Sequence, residues 1–153
     1  MDKRTEISNA LKDAMKSKDT VALSTIRLIL AAMKDRDIAA RGTGNAAGIT
    51  DTEILSMMQT MIKQRVESSD IYTKANRPEL AAQELAEIEV IKRFLPQQMS
   101  EAEVRAKVDE IISALGVADI KDMGKVMGEL KARYAGQLDM GKASGIIKEK
   151  LSA

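Results

Sequence analysis

The sequence predicts an all-α protein: an N-terminal helical bundle followed by a small C-terminal three-helix domain. Aromatic residues make up only 2% of the 153 residues, whereas methionine occurs ten times and alanine, leucine, isoleucine, lysine and glutamate are abundant. This composition favours helices and lacks the aromatic side chains that strands prefer. Apolar residues also recur at helical spacing along nearly the whole chain. The hydrophobic content of 44% and the charged content of 31% are typical of a folded globular protein.

Two helices are predicted before the first glycine-rich stretch. The first covers residues 2–17, and Asp19 or Thr20 caps the second. The second helix has a broad apolar face whose two sides both look buried, so we expect it to lie at the centre of the unit. The residues predicted to face inward are Ile7, Leu11, Ala14, Met15, Val21, Ile26, Leu28, Ile29, Leu30 and Met33. A flexible loop is predicted from Arg41 to Gly48.

Two further helices are predicted before Pro96. Thr50 and Glu53 form a capping box that begins a helix at about residues 51–75. Pro78 is well placed in the first turn of the next helix, which ends at Pro96. The inner stripe of that helix is predicted to contain Ala81, Leu85, Ile88, Ile91 and Leu95. We therefore place the domain boundary here, with an N-terminal domain over residues 1–96 and a C-terminal domain over residues 97–153.

Three short helices are predicted in the C-terminal domain. Ser100 and Glu103 form a second capping box, and Gly116 is placed to end the helix that follows. The next helix ends at Gly136, and Asp139 caps the last one. The inward-facing residues predicted for the first and last of these helices are Val104, Val108, Ile111, Ile112, Leu115, Met140, Ile146, Ile147 and Leu151.

The middle helix of this domain is the most informative part of the chain. Its apolar stripe contains Met123, Val126, Met127, Leu130 and Tyr134. Two glycines lie beside the stripe among lysines, although each glycine inside a helix costs about 1 kcal/mol relative to alanine. One interpretation is that this bare strip binds a nucleic-acid backbone, and the other is tight helix–helix packing. The candidate nucleic-acid-binding residues are Lys121, Gly124, Lys125, Gly128, Lys131 and Lys142.

A polar group in the long third helix also has two interpretations. Lys63 and Glu67 are spaced to form an ion pair on the helix surface. Gln64, Arg65 and Ser68 would then form hydrogen bonds between helices. The alternative is that this face binds a ligand or a partner. The first interpretation is favoured because the sequence implies no pocket here.

Several function classes are excluded or disfavoured. The chain has no cysteine and no histidine, which removes the thiol nucleophile, the commonest general base and the commonest metal ligand. The cluster Gly42-Thr43-Gly44 lacks the lysine that ends a phosphate-binding loop. The acidic residues are scattered, so no metal site, no cofactor and no catalytic residue is predicted. No segment approaches the length of a membrane span and the N-terminus is not a secretory signal, so a cytoplasmic location is expected.

Charge is distributed unevenly although the net charge is only +1. Residues 101–120 contain two basic and five acidic residues, whereas residues 121–153 contain seven basic and four acidic ones. A near-neutral total therefore conceals a basic C-terminal end. This asymmetry agrees with the nucleic-acid interpretation, although a charged helix face is usually just solvated.

Four motifs in order resemble the GatB/YqeY family. They are residues 26–34 (IRLILAAMK), 61–68 (MIKQRVES), 87–100 (EIEVIKRFLPQQMS) and 123–128 (MGKVMG). Stand-alone members of that family are small, all-helical bacterial proteins. The C-terminal part is similar to the tail domain of the B subunit of the glutamine-dependent tRNA amidotransferase, a carbon–nitrogen ligase with glutamine as amido-N-donor. That tail helps the enzyme to hold tRNA.

The resemblance implies a bacterial, tRNA-associated module without the catalytic body of the enzyme. The Ser-Ser-Lys arrangement of the amidase partner does not occur in this sequence. One function class is therefore a tRNA-binding module that uses backbone N–H groups and lysines. The other is a protein-interaction module that docks a partner helix on the same face. An intrinsic ligase activity is a third and weaker alternative. The expected partners are tRNA and an amidotransferase or tRNA synthetase-type protein, and a monomer is favoured.

Overall fold

The computed structural model describes residues 2–152, and over this range the chain is all-α, as predicted. The chain divides between Leu95 and Pro96 into two compact units, here called unit 1 and unit 2. Unit 1 contains the helices α1 (Lys3–Ser17), α2 (Thr20–Gly42), α3 (Asp51–Lys74) and α4 (Pro78–Lys92). Unit 2 contains α5 (Glu101–Leu115), a 3₁₀ turn (Ile120–Asp122), α6 (Met123–Tyr134) and α7 (Met140–Ser152). The independent folding of the two predicted domains stays a prediction.

Side-chain caps confirm the predicted helix starts at Asp19, Thr50 and Asp139. The predicted capping box at Ser100 is only half formed, since Ser100 Oγ accepts from the Glu103 N–H but the Glu103 side chain does not bond back. Thr50 Oγ1 accepts a hydrogen bond from the Glu53 N–H at 3.2 Å, and Glu53 Oε1 accepts one from the Thr50 N–H at 3.3 Å. Asp19, and not Thr20, caps α2, because its carboxylate accepts from the Ala22 N–H. Such caps satisfy N–H groups that the first turn of a helix leaves without a partner. None of the helices of residues 2–152 is both long and apolar enough to span a membrane.

The core of unit 1 lies where α2 meets its neighbours. Ile7 of α1, Ile29 of α2 and Ile91 of α4 are fully buried there, together with Met57 and Met58 of α3. The predicted inward-facing set is wrong at four positions, because the neighbouring helices cover only one side of each apolar face. The side chains that are exposed instead are Met15, Val21, Leu28 and Leu85.

The connection between α2 and α3 differs from the predicted flexible loop. Helix α2 continues to Gly42, and the end of the connection, Gly48 and Ile49, is buried. Arg4 holds this end in place. Its guanidinium donates to both carboxylate oxygens of Asp37, at 2.6 and 2.7 Å, and to the Ile49 carbonyl at 2.8 Å. The Ile49 N–H donates back to Asp37 at 2.9 Å.

Arg65 joins α3 to α4, in agreement with its predicted role as a hydrogen bonder between helices. Its Nε donates to Glu87 at 3.2 Å, and both side chains are largely buried. Arg65 also donates to the Met61 carbonyl one turn earlier. The predicted pair of Lys63 and Glu67 is not among the ion pairs of residues 2–152, and both residues are exposed.

The start and the end of unit 1 meet. Lys3 Nζ donates to the Phe94 carbonyl at 2.7 Å and to Glu6 at 2.9 Å. Phe94 is itself buried in the core of the unit. The first turn of α1 is therefore bonded to the segment that follows α4.

Unit 2 is a three-helix arrangement with its own core. The buried residues at its centre are Val104, Val108, Ile111, Val126, Leu130, Leu138, Ala143, Ile146, Ile147 and Leu151. Leu115, predicted to face inward, is 39% exposed because α5 ends there and Gly116 turns the chain with a φ of +65°. The Met99 N–H donates to the Gln137 carbonyl at 2.7 Å. The segment before α5 is thus bonded to the loop between α6 and α7.

Candidate nucleic-acid interface

Helix α6 buries the predicted apolar stripe. Val126 and Leu130 are fully buried, and Met123, Met127 and Tyr134 pack against the core of unit 2. At 100° per residue, the opposite side of the helix contains Gly124, Lys125 and Gly128, and Lys121 lies in the 3₁₀ turn that precedes the helix. All four are exposed.

The two glycines of α6 do not support tight packing within the chain. A Cβ atom built on Gly124 or Gly128 meets no heavy atom within 4 Å. No neighbouring helix of the described chain therefore requires a bare backbone at either position. Tight packing of this strip against another helix, the alternative predicted from the sequence, is therefore not found among residues 2–152, where the strip is exposed.

The lysines give the exposed side of α6 a positive excess. Lys125 Nζ lies 3.5 Å from Asp122 Oδ1, but 71% of the lysine side chain is exposed, and such surface pairs contribute little. Lys121 and Lys131 are exposed and form no ion pair with any residue of the range 2–152. Glu129 is bound by Arg133 at 3.0 Å. The three lysines therefore have two carboxylates nearby: Asp122, and Asp119, which accepts a hydrogen bond from the Lys121 N–H at 3.0 Å.

Lys142 lies in different surroundings from the α6 lysines. It lines a cleft of about 600 Å³ in unit 2, formed by the start of α5, the α6–α7 loop and α7. Arg105 in this cleft donates to Glu101 at 3.1 Å and to Glu149 at 3.3 Å, and these hydrogen bonds raise the pKa of Arg105. Asp139 also lines the cleft, so carboxylates outnumber cations there by three to two. This balance disfavours a phosphate.

A second segment with the same glycine pattern was not recognised in the sequence analysis. Residues 123–128 (MGKVMG) and 140–145 (MGKASG) share the pattern Met-Gly-Lys-x-x-Gly, and a comparison of the chain with itself reveals it. Both copies begin at the first residue of a helix, α6 or α7. Gly145 is exposed and a Cβ built there meets nothing within 4 Å, whereas one on Gly141 would lie 3.1 Å from Asp139 Oδ1.

Replacing Gly124 and Gly128 together by alanine is expected to stabilise unit 2. Both positions are in a helix, are exposed and have room for a methyl group. Alanine is favoured over glycine by about 1 kcal/mol at each site, so the free energy of unfolding should rise by about 1–2 kcal/mol. Urea denaturation followed by circular dichroism measures this change. A destabilised double variant would show that the bare strip is needed for packing.

The described residues offer no candidate site for a metal ion. Over residues 2–152, no group of three or more His, Cys, Asp or Glu side chains is placed to hold a metal ion. What the exposed side of α6 offers a binding partner is positive charge and, at its two glycines, close approach to the helix backbone.

Comparison with known proteins identifies the family. A family model described as Yqey-like protein matches residues 4–151. Three curated relatives share the name "Altered inheritance of mitochondria protein 41, mitochondrial". The relative from Lachancea thermotolerans is 33% identical over 117 residues, which cover 75% of this chain and 60% of the relative. The relative from Saccharomyces cerevisiae is 30% identical over 107 residues, covering 69% of this chain and 56% of the relative.

The third relative, from Clavispora lusitaniae, is 27% identical over 141 residues, covering 90% of this chain and 78% of the relative. The chain spans 60% or less of the length of the first two. All three are named as mitochondrial proteins of yeasts, which contradicts the prediction of a bacterial, cytoplasmic protein. Because the family model matches nearly the whole chain, the protein belongs to the Yqey-like family, as the GatB/YqeY resemblance predicted.

Proposed function

We propose that unit 2 binds the phosphate backbone of a folded RNA through the exposed glycine and lysine side of α6. Transfer RNA is the RNA that the resemblance to the amidotransferase tail suggests. The observation that supports this proposal is that Gly124 and Gly128 lower the stability of the helix although no neighbour among residues 2–152 requires a glycine there. A role outside the chain accounts for that cost.

The chemistry of the strip suits recognition by backbone and shape. Without a Cβ, the helix surface at Gly128 allows a sugar or phosphate to approach closely, and the lysines provide cations beside it. Gly128 lies within the helix, where N–H groups bond to carbonyls one turn earlier, so it offers proximity and no free donor. The proposed contact at Gly128 therefore depends on close approach and not on a backbone N–H group. The single Phe and two Tyr of the chain provide few platforms for stacking single-stranded bases.

Replacing Lys121, Lys125 and Lys131 by alanine is expected to weaken tRNA binding by about tenfold or more at moderate salt. Each lysine that neutralises a phosphate releases counterions, so the slope of log affinity against log salt should become shallower by about 2–3. Different tRNAs should lose affinity about equally, because phosphate contacts are independent of sequence. Fluorescence anisotropy with several labelled tRNAs across a KCl series measures both effects.

A matched control removes three exposed lysines from unit 1, namely Lys12, Lys16 and Lys63. It changes net charge equally and should leave most of the affinity in place. Lys142→Ala tests the cleft separately and is expected to have little effect, because carboxylates surround that site. Unchanged tRNA affinity in the α6 triple variant would refute the proposed contact.

A partner helix is a second candidate for the same strip. Gly124, Gly128 and Ala132 are exposed small residues four apart, and this spacing permits close contact between helices. An amidotransferase or a tRNA synthetase-type protein would supply that helix. If the strip binds a partner helix, Gly128→Leu should abolish the complex with the partner protein, whereas the triple lysine variant should retain it. If the strip binds RNA, the triple lysine variant should lose the complex with tRNA.

A further inference from the structure

The outward side of α2 is an apolar stripe without a partner in unit 1. Val21 and Leu28 are each 44% exposed, and Ile38 is 55% exposed. Single exposed apolar residues are ordinary on a protein surface. These three lie on one helix within a sector of roughly 100°, which also contains the exposed residues Ser24, Ala31 and Asp35.

The stripe has the spacing of a helix-pairing surface. Val21, Leu28 and Asp35 follow one another at seven-residue intervals, and so do Ser24, Ala31 and Ile38. Two such series, offset by three residues, form the seam of a coiled coil. The small side chains of Ser24 and Ala31 leave room for a facing helix to approach between the larger residues.

The charges beside the stripe all have one sign. Arg27, Lys34 and Arg41 run along one edge at seven-residue intervals, and Arg36 lies on the other edge. All four are exposed, and none forms an ion pair with another residue of the described range. Asp35 is the one exposed acid of α2, because Asp37 is bound by Arg4.

We propose that the outward side of α2 docks an amphipathic helix of a partner protein. The apolar seam of that helix is edged by Asp or Glu at seven-residue intervals, opposite Arg27, Lys34 and Arg41. A cation on the partner faces Asp35 and fixes the register, as single polar seam residues do in coiled coils. This surface lies in unit 1 and is independent of the RNA contact proposed for unit 2.

The same observations disfavour the other occupants. In an antiparallel pair of α2 helices from two copies, the row of Arg27, Lys34 and Arg41 would face itself. In a parallel pair, the row would face Thr25, Ala32 and Ala39, which carry no negative charge. A lipid surface would have to bury the seam residue Asp35 without a cationic partner, at a cost in free energy. An RNA backbone would leave the apolar residues unpaired with any apolar group.

Two labelled synthetic helices of 28 residues test the proposal with the full chain. Both have leucine and alanine at the seam, and one has glutamate at every edge position where the other has lysine. Fluorescence anisotropy should show micromolar binding of the acidic helix and no binding of the basic one. Replacing Arg27, Lys34 and Arg41 by glutamate should reverse this preference. No binding of the acidic helix, or equal binding of both helices, would overturn the proposal.

Variants of the seam complete the test. Leu28→Asp with Ile38→Asp should weaken binding of the acidic helix by about tenfold or more. The control, Ile71→Asp with Leu85→Asp, changes apolar residues of α3 and α4 that are 65% and 52% exposed, and it should leave binding unchanged. Light scattering tests whether a second copy of the chain binds, and sedimentation with phosphatidylglycerol vesicles tests whether a lipid surface binds. Dimerisation or vesicle binding that Leu28→Asp abolishes, without binding of the acidic helix, would overturn the proposal.

Discussion

Replacing Asp37 by alanine is expected to lower the free energy of unfolding of unit 1 by about 3 kcal/mol. The carboxylate is 9% exposed and binds the Arg4 guanidinium with two hydrogen bonds. Its removal leaves that guanidinium with only the Ile49 carbonyl and deprives the buried Ile49 N–H of its acceptor. Breaking a buried pair on one side costs about 3–5 kcal/mol, and the partial exposure of Arg4 places the loss at the lower end.

Thermal unfolding followed by circular dichroism measures this loss as a fall in melting temperature of roughly 10–20 °C. Asp35→Ala is the matched control, since it removes an exposed acid from the same helix two residues away. That variant should remain within about 0.5 kcal/mol of the wild type. A loss below about 1 kcal/mol for Asp37→Ala would mean that the pair contributes little to holding the α2–α3 connection.

The contribution of Asp37 should also depend on pH. The hydrogen bonds from Arg4 and from the Ile49 N–H hold the pKa of the Asp37 carboxyl well below its usual range. A carboxyl with a lowered pKa in the folded state stabilises the protein above its unfolded pKa of about 4, and this stabilisation is lost as the pH falls further. Urea unfolding at pH 7, 4 and 3 should therefore show a steeper acid loss in the wild type than in Asp37→Asn. If the free energy of unfolding fell equally with pH in both proteins, the lowered pKa of Asp37 would be contradicted.

Gly48→Ala is expected to destabilise unit 1 by about 3 kcal/mol. Gly48 has a φ of +82°, and a residue with a Cβ pays about 1–2 kcal/mol to adopt the left-handed region. A Cβ built on Gly48 would also overlap Asp37 Oδ1 and lie 2.9 Å from Asp37 Cγ. Relief of that overlap requires the Arg4–Asp37 pair or the backbone to move, which adds a cost of about 1–3 kcal/mol.

Two other glycines of the same connection separate the cost of the left-handed φ from the cost of the overlap with Asp37. Gly44 has a φ of +97° but open space around a built Cβ, so Gly44→Ala should cost about 1–2 kcal/mol. Gly42 ends α2 with open space and no left-handed φ, so Gly42→Ala should be nearly neutral or stabilising. Equal losses at Gly44 and Gly48 would show that the contact with Asp37 has no energetic consequence. Urea denaturation of the three variants at pH 7 provides the comparison.

Local signals in the sequence predicted the helices, because a cap such as Thr50 with Glu53 involves residues only three apart. The Arg4–Asp37 pair could not be predicted in this way. Its residues are 33 positions apart in the sequence, and an aspartate near the end of a helix is usually exposed to solvent. The burial of Val21 and Leu28 was predicted wrongly for a related reason. The width of an apolar face does not reveal how many neighbours cover it.

The candidate site was predicted in part for the same reason. The helical spacing of apolar residues in α6 predicted its buried stripe, but the sequence left open whether Gly124 and Gly128 pack against a helix or bind a nucleic-acid backbone. Only the positions of the other helices decide that question. Lys142 is one of the nucleic-acid-binding residues predicted from the sequence, but its surroundings are set by Arg105, Glu101 and Glu149 from α5 and α7.

The hydrogen bond from Lys3 to the Phe94 carbonyl has a topological consequence. Since the chain enters and leaves unit 1 within the reach of one lysine side chain, a short linker would join those two points. New termini could then be opened in the exposed turn at Asn76 and Arg77 between α3 and α4. Circular permutants of this kind are expected to keep every helix in place. The same closeness of its two ends would suit unit 1 to insertion into a loop of another protein, provided that it folds independently as predicted.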